Sequence, residues 1–225
     1  MIALVNTYII TRNCNFMSGL TMFNSNKFIF QKIAFIGLML LSASAFSDEL
    51  AQREQAAKQV TQQFLKQLGG HLKKEMKTNG PVAAIKVCKD VAPGIANKLS
   101  LENGWRVTRV TTKPRNALLG ATDQWERETL LAFEARAKKG EKYSNMSRAE
   151  VVDEAGKSYF RYMKPLAIKP VCLNCHGSDE QIPAPVKAAL DKAYPYDQAR
   201  GYTLGQLRGA ISIKQPLDVS LRKTF

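Results

Sequence analysis

Cys172-Leu173-Asn174-Cys175-His176 constrains this chain more than any other stretch of it. Two thiols separated by two residues can form thioethers to the two vinyl groups on one edge of a haem, and the histidine that follows then sits under the iron as an axial ligand. The segment reads as an attachment site for one covalently held haem c.

Scarcity gives the motif weight. The chain has 4 Cys and 2 His in 225 residues, and three of those six fall in one pentapeptide. A structural zinc site wants four N or S ligands, usually as two separated pairs, and adjacent Cys175 and His176 cannot easily both reach one tetrahedral ion. A thioredoxin-like dithiol belongs to a strand-to-helix turn in a βαβ pattern, and the residues around 170 show no such alternation.

Haem attachment of this kind implies export, and the N-terminus agrees. Lys27 and Lys32 precede an apolar run, Ile33 to Phe46, too short for the roughly 20 residues that span a bilayer but suited to a signal peptide. Ala43-Ser44-Ala45 and Ala45-Phe46-Ser47 are small-x-small cleavage sites. Residues 1–47 are therefore expected to be a leader, with Met17 or Met22 as alternative starts and residues 1–21 as a start-site artefact. Residues 48–225 form a single domain, placed in the periplasm; a membrane enters only if the leader stays uncleaved.

Without residues 1–47, which hold three basic and no acidic residues, the formal charge falls from +14 to +11. The basic residues are spread along helical segments and do not form one block, so nucleic acid is not the expected partner. Solubility, an anionic surface or haem propionates suit that charge better. Cys14 leaves with the leader and Cys172 and Cys175 serve the haem, which leaves Cys88 as a lone thiol in an oxidising compartment.

Helices precede strands. Asp48 can cap a helix to about Thr78, with Ala57, Val60, Phe64, Leu68 and His71 recurring at intervals of three and four. Asn79-Gly80 breaks it. Pro81 to about Lys98 carries Ala84, Ile85, Cys88, Val91, Ala92 and Ile95 on one face, which turns Cys88 inward, and Pro93-Gly94 marks a bend. Trp105 to Thr111 alternates as a strand. Thr122 or Asp123 caps a helix to about Lys139, with Trp125, Leu130, Phe133 and Ala137 on one side. A hairpin turns at Ala155-Gly156-Lys157 and its second strand runs to Ile168, directly before the motif. A short helix follows over about Pro185–Ala193, then a last strand over Gly209–Gln215. The fold class is α+β: an antiparallel sheet with helices gathered beside it.

Read by segments, the chain resembles the exported c-type haem domains with a PAS-like fold, a family catalogued as of unknown function. The segments that carry this are Ala84-Ile85-Lys86-Val87-Cys88, Trp105-Arg106-Val107-Thr108-Arg109-Val110 with Arg115-Asn116, Trp125-Glu126, Tyr159-Phe160-Arg161-Tyr162-Met163, the haem motif, Tyr194-Pro195-Tyr196-Asp197, Gly201-Tyr202 and Gly205-Gln206-Leu207-Arg208-Gly209-Ala210. The resemblance implies a PAS-like antiparallel sheet with flanking N-terminal helices. It also implies iron held by His176 on one side and Cys88 on the other. From the residues alone, Cys88 is as well read as a small buried hydrophobe, and His71 and Met163 are rival sixth ligands. Arg109, Arg115, Arg161 and Arg208 are candidate propionate partners, with Arg115 and Arg161 preferred because they fall in those segments. Tyr159 and Tyr162 either pack on the ring or fill the core.

The functional expectation is a redox or small-gas sensor without turnover, answering to a separate redox or signalling protein. The alternative is a low-potential periplasmic electron-transfer cytochrome. An enzyme would want acid/base groups beside an open iron position, and two histidines, one committed to iron, offer little for that.

Overall fold

Four strands, β1 (Arg106–Val110), β2 (Arg148–Glu154), β3 (Lys157–Ala167) and β4 (Leu207–Pro216), pair antiparallel in the order β1-β4-β3-β2. The structure, a computed structural model, describes residues 26–221, with side chains from residue 46 onward. The chain divides into two units, residues 1–45 and 46–225, and the second carries the sheet. The start-site expectation and Cys14 lie outside the described residues.

Cross-strand register assigns each side chain to a face. Arg106, Lys214 and Arg161 stand opposite one another across β1, β4 and β3 and share one face, while the next row, Val107, Ile213 and Tyr162, takes the other. That second face is covered by helices. On it Val107, Phe160, Tyr162, Ile211 and Ile213 pack against Ala57, Val60 and Phe64 of α1 (Asn26–Thr78) and Ile95 and Leu99 from the helical stretch that follows.

α1 begins far before Asp48, which lies inside the helix and caps nothing. No proline interrupts the sequence from Asn26 to Asp48, so the helical run simply continues through the expected boundary. Gly80, at φ +80°, turns the chain after α1 into α2 (Gly80–Lys86). A π-helical turn over Val87–Val91 then leads into α3 (Ala92–Asn103), which ends at left-handed Gly104. The bend expected at Pro93 is therefore a wider turn just before it. Pro93 has no N–H to return to the preceding turn, and the N–H of Ala92 reaches Val87 O across five residues.

The opposite sheet face is covered by α5 (Gln124–Lys138). Asp123 caps it in a reciprocal box with Glu126, and Leu130 and Phe133 pack on Val110, Met163 and Ala210. Between β1 and α5 lies a single capped turn, α4 (Ala117–Gly120). The hairpin β2–β3 turns on Ala155 (φ 50°) and Gly156 (φ 77°), two successive positive-φ residues as a type I′ turn requires. After β3 come the motif helix α6 (Leu173–His176) and α7 (Ala184–Ala193). The class is α+β, an antiparallel sheet with N-terminal helices, as the sequence indicated. Among the described residues no helix is long and apolar enough to cross a membrane.

Candidate functional site

The motif is held as a short, multiply tied loop between β3 and α7. Cys172 closes a 3-10 turn begun at Pro170, and the rest of the motif forms α6. Backbone bonds from Gly201 N to Gly177 O (2.8 Å) and from Tyr202 N to His176 O (2.9 Å) tie it to the segment before β4. Gly177 is required here, because a Cβ would come within 2.7 Å of Leu173 O.

One cavity of about 470 Å³ opens between the motif, the Cys88 turn and β1. That volume lies in the roughly 300–1,000 Å³ range of small-molecule and cofactor sites. Its walls include Cys88, Cys172, Cys175 and His176, and its apolar side comes from Leu68, Leu72 and Met76 of α1 with Ala84, Ile85 and Ala92. Among the described residues no three His, Cys, Asp or Glu converge to chelate an ion. The sulfurs and the imidazole instead line a shared space.

His176 is oriented before any metal is considered. Its Nδ1 lies 2.7 Å from Ala199 O, an atom that only accepts, so Nδ1 carries the proton and Nε2 keeps its lone pair, towards which Arg208 Nε points as a donor. Burial holds the imidazole pKa well below its ordinary 6.5, and the guanidinium groups of Arg208 and Arg115 push the same way. The ring is thus neutral at pH 7, the state in which it can ligate. Tyr202 meets it edge-on, with ring centroids 6.1 Å apart. Burial raises the pKa of the Cys175 thiol, partly offset by Arg115.

Three of the four candidate arginines reach the cavity. Arg208 donates to Thr111 Oγ1 (3.1 Å), and its Nε lies 3.5 Å from His176 Nε2. Burial lowers its pKa, with Arg115 and Arg109 adding to the effect. Arg109 donates to Cys88 O at 3.3 Å. That carbonyl is the one Pro93 would serve by continuing the π pattern, so a sheet side chain completes the turn that carries Cys88. Arg115 lines the cavity but is committed elsewhere: it pairs with Asp197 at 3.2 Å and donates to Cys175 O and to Ala199 O.

Arg161 is not at the site. It lies buried on the α5 face, ion-paired with Asp123 (2.7 Å), Glu126 (3.2 Å) and Glu154 (2.7 Å), its guanidinium 4.4 Å from the centre of the Trp125 ring. The expectation that it holds a propionate is corrected by strand parity. In β3 residues 160–163 are buried on both faces, and the sequence gives no sign of which face Arg161 takes. Tyr162 fills the α1 side of the core, and Tyr159 stacks under Lys214. The rival ligands are also placed apart. His71 is exposed, not on the apolar face of α1, and Met163 is packed among Leu130, Phe133 and Met146.

Tyr194 and Tyr202, to which the sequence reading gave no role, do belong here: Tyr194 lines the cavity and Tyr202 flanks His176. Both stand in the segments that carry the family resemblance, which was the available signal. Gly209 is a third such residue. At φ +148° it brings β4 so close to β1 that a Cβ would lie 2.3 Å from Val110 O.

Fold and site together define an α+β domain whose sheet edge and N-terminal helices enclose a cavity lined by an attachment-type Cys-x-x-Cys-His motif and a separate cysteine. Residues 40–216 match the family described as Tll0287-like, and the chain belongs to that family. Its fold is similar to that of the cyanobacterial heme-protein Tll0287, known from a crystal structure, with a TM-score of 0.55 and 23% identity over 76% of this chain and 96% of that one. No curated protein matches the chain.

Proposed function

We propose that this chain is a periplasmic c-type haem protein with one covalent haem, held by Cys172 and Cys175 and ligated by His176 and Cys88, and that it works as a redox or small-gas sensor without turnover. The observation that carries the reading is that three cysteines and a neutral, oriented histidine from distant parts of the sequence line one largely apolar cavity. The donor set fits a haem: two sulfurs on one short turn, an imidazole with its Nε2 lone pair unprotonated, and guanidinium groups for carboxylates. The similarity to a heme-protein supports the same reading.

Bound haem would supply one-electron chemistry and an iron that takes axial ligands. The chain's own residues then set its behaviour. Ala199 O and Tyr202 orient His176. Arg208 and Arg109 are the propionate partners, while Arg115 anchors the motif backbone to Asp197. Cys88 as thiolate favours the ferric state and lowers the potential. It sits on a π-helical turn, an irregular element frequent at functional sites, so withdrawal of Cys88 from a bound haem would give a movement that a partner could read. Electron transfer is the second reading, favoured by the exposure of Val171 beside the attachment cysteines.

Electron paramagnetic resonance of the ferric full-length protein tests the ligand pair. Low-spin thiolate/imidazole g-values are expected, lost in Cys88→Ala, with a rise in reduction potential on the order of 100 mV within the ~0.8 V that axial ligands span. A spectrum and potential indifferent to Cys88→Ala would overturn Cys88 as ligand. Absence of covalent haem mass after expression with maturation machinery would overturn the whole reading.

A further inference from the structure

The surroundings of the cavity are charged to one side. Lys89, Arg106, Arg109, Arg115 and Arg208 line the cavity and no Asp or Glu does, Arg106 and Arg115 being paired with Glu126 and Asp197 behind the wall. Residues 123–154, by contrast, hold eight acidic against six basic residues. Two propionates would offset only part of that local excess, so a positive field remains around the cavity.

Apolar side chains stand on the rim of the same cavity. Leu118 stands outside the lining at 93% exposed, while its neighbour Leu119 and Val171 belong to the lining and would border a bound haem. The turn that presents the leucines is fixed. Asn116 accepts from Leu118 N and Leu119 N at 3.0 and 3.2 Å, Thr111 N donates to Gly120 O at 3.1 Å, and a Cβ on Gly120 would already touch Pro114. A rigid turn holding Leu118 in water forgoes the ~1.5–3 kcal/mol that burying it would contribute, and a fixed exposed apolar side chain beside a cationic rim marks a contact surface.

We propose that Leu118, Leu119 and Val171, with Lys89 on the same rim, form the docking face for an acidic protein that exchanges electrons with the haem. This rests on the c-type reading, because Val171 is bonded to Cys172 and a partner seated there stands over the tethered edge of the ring. Charge selects the partner's sign and the apolar patch supplies the contact. A membrane suits the face poorly, since α4 is one turn of four residues and interfacial anchoring uses a longer amphipathic helix. A patch this small fits the transient redox class, with interfaces below about 1,200 Å². In the step one electron leaves the reduced donor and converts ferric to ferrous haem; no bond forms or breaks.

Flavodoxin, an acidic one-electron donor in its hydroquinone form, is the probe, with the full chain carrying its haem. In stopped flow the second-order rate is expected to fall about tenfold between about 20 and about 200 mM salt as the field is screened. Leu118→Glu should lower the rate, and weaken binding of oxidised flavodoxin, by about fivefold or more, because it sets like charge against the partner. Leu131→Glu, at an exposed position on α5, should change neither. A rate and affinity insensitive to salt, or equal for the two variants, overturns the docking face, as does tight binding to phosphatidylglycerol vesicles by a protein that ignores flavodoxin. A chain lacking haem mass instead defeats the c-type reading, which mass spectrometry detects beforehand.

Discussion

Arg161 and Arg208 share a side chain type, and both are largely removed from water, yet they have opposite electrostatic settings. Arg161 is surrounded by three carboxylates, whereas Arg208 faces two other arginines, offset by Tyr202 and Asp197. Removing Arg161 leaves buried Glu126 without its nearest cation, while Glu154 keeps Lys214, at a cost of up to about 3 kcal/mol. Arg161→Met is therefore expected to lower the urea midpoint markedly while leaving the visible haem spectrum unchanged; a spectral change with intact stability would return Arg161 to the site. Arg208→Gln should do the reverse. Loss of its positive charge beside His176 favours the ferric state, and the reduction potential should fall by about 60 mV, a tenfold change in the one-electron equilibrium. Arg208→Lys, which keeps the charge, should recover most of that. An unshifted potential in Arg208→Gln would remove Arg208 from the propionate set.

At the scale of elements, the turn carrying Cys88 is completed by another element, since Arg109 of β1 supplies the donor that Pro93 lacks. Arg109→Met leaves Cys88 O without that partner, a loss on the order of 1 kcal/mol for a half-buried acceptor. Amide exchange over Val87–Val91 should accelerate in that variant while α5 keeps its protection; unchanged exchange across the turn would show that Arg109 does not brace it. Dependence on a partner 21 residues away explains why this element was not legible in the sequence. Local chemistry was legible where it was self-sufficient: Asp123 with Glu126 marked the start of α5, Ala155-Gly156 marked the hairpin, and the periodicity from Ala57 to Leu68 marked the buried part of α1. The Cys-x-x-Cys-His segment stood out for the same reason, its candidate site residues being contiguous. His71 broke the rule: less than one turn beyond Leu68 the apolar stripe runs on through Leu72 and Met76, which line the cavity, and leaves His71 on the exposed side. In β3, burial on both faces erased the alternation that would have placed Arg161, and α4 was invisible because four residues carry no period.

For the whole molecule, pH dependence of stability follows from groups that folding keeps neutral. Burial first of all pushes the phenols of Tyr162 and Tyr194 up to about 12, from an ordinary 10. Between those values the unfolded chain loses protons that the folded chain retains, so it binds fewer, and stability falls as pH rises from about 10 towards 12. His176 acts at the other end. Its folded pKa lies well below the ordinary 6.5, so as pH falls through 6.5 the unfolded chain takes up a proton that the folded chain refuses, and stability falls with it. An iron bound at Nε2 keeps the same nitrogen unprotonated, which preserves the sign. Folding is thus expected to be most favourable on a plateau between about 6.5 and 10. Guanidinium unfolding followed by far-ultraviolet circular dichroism from about pH 5 to about pH 11.5 should trace a limb on each side of it. Tyr162→Phe and Tyr194→Phe should each flatten the alkaline limb, and the double variant more than either, with the acid limb unmoved. An alkaline limb that persists in the double variant would assign it to other groups and leave these two phenols ordinary.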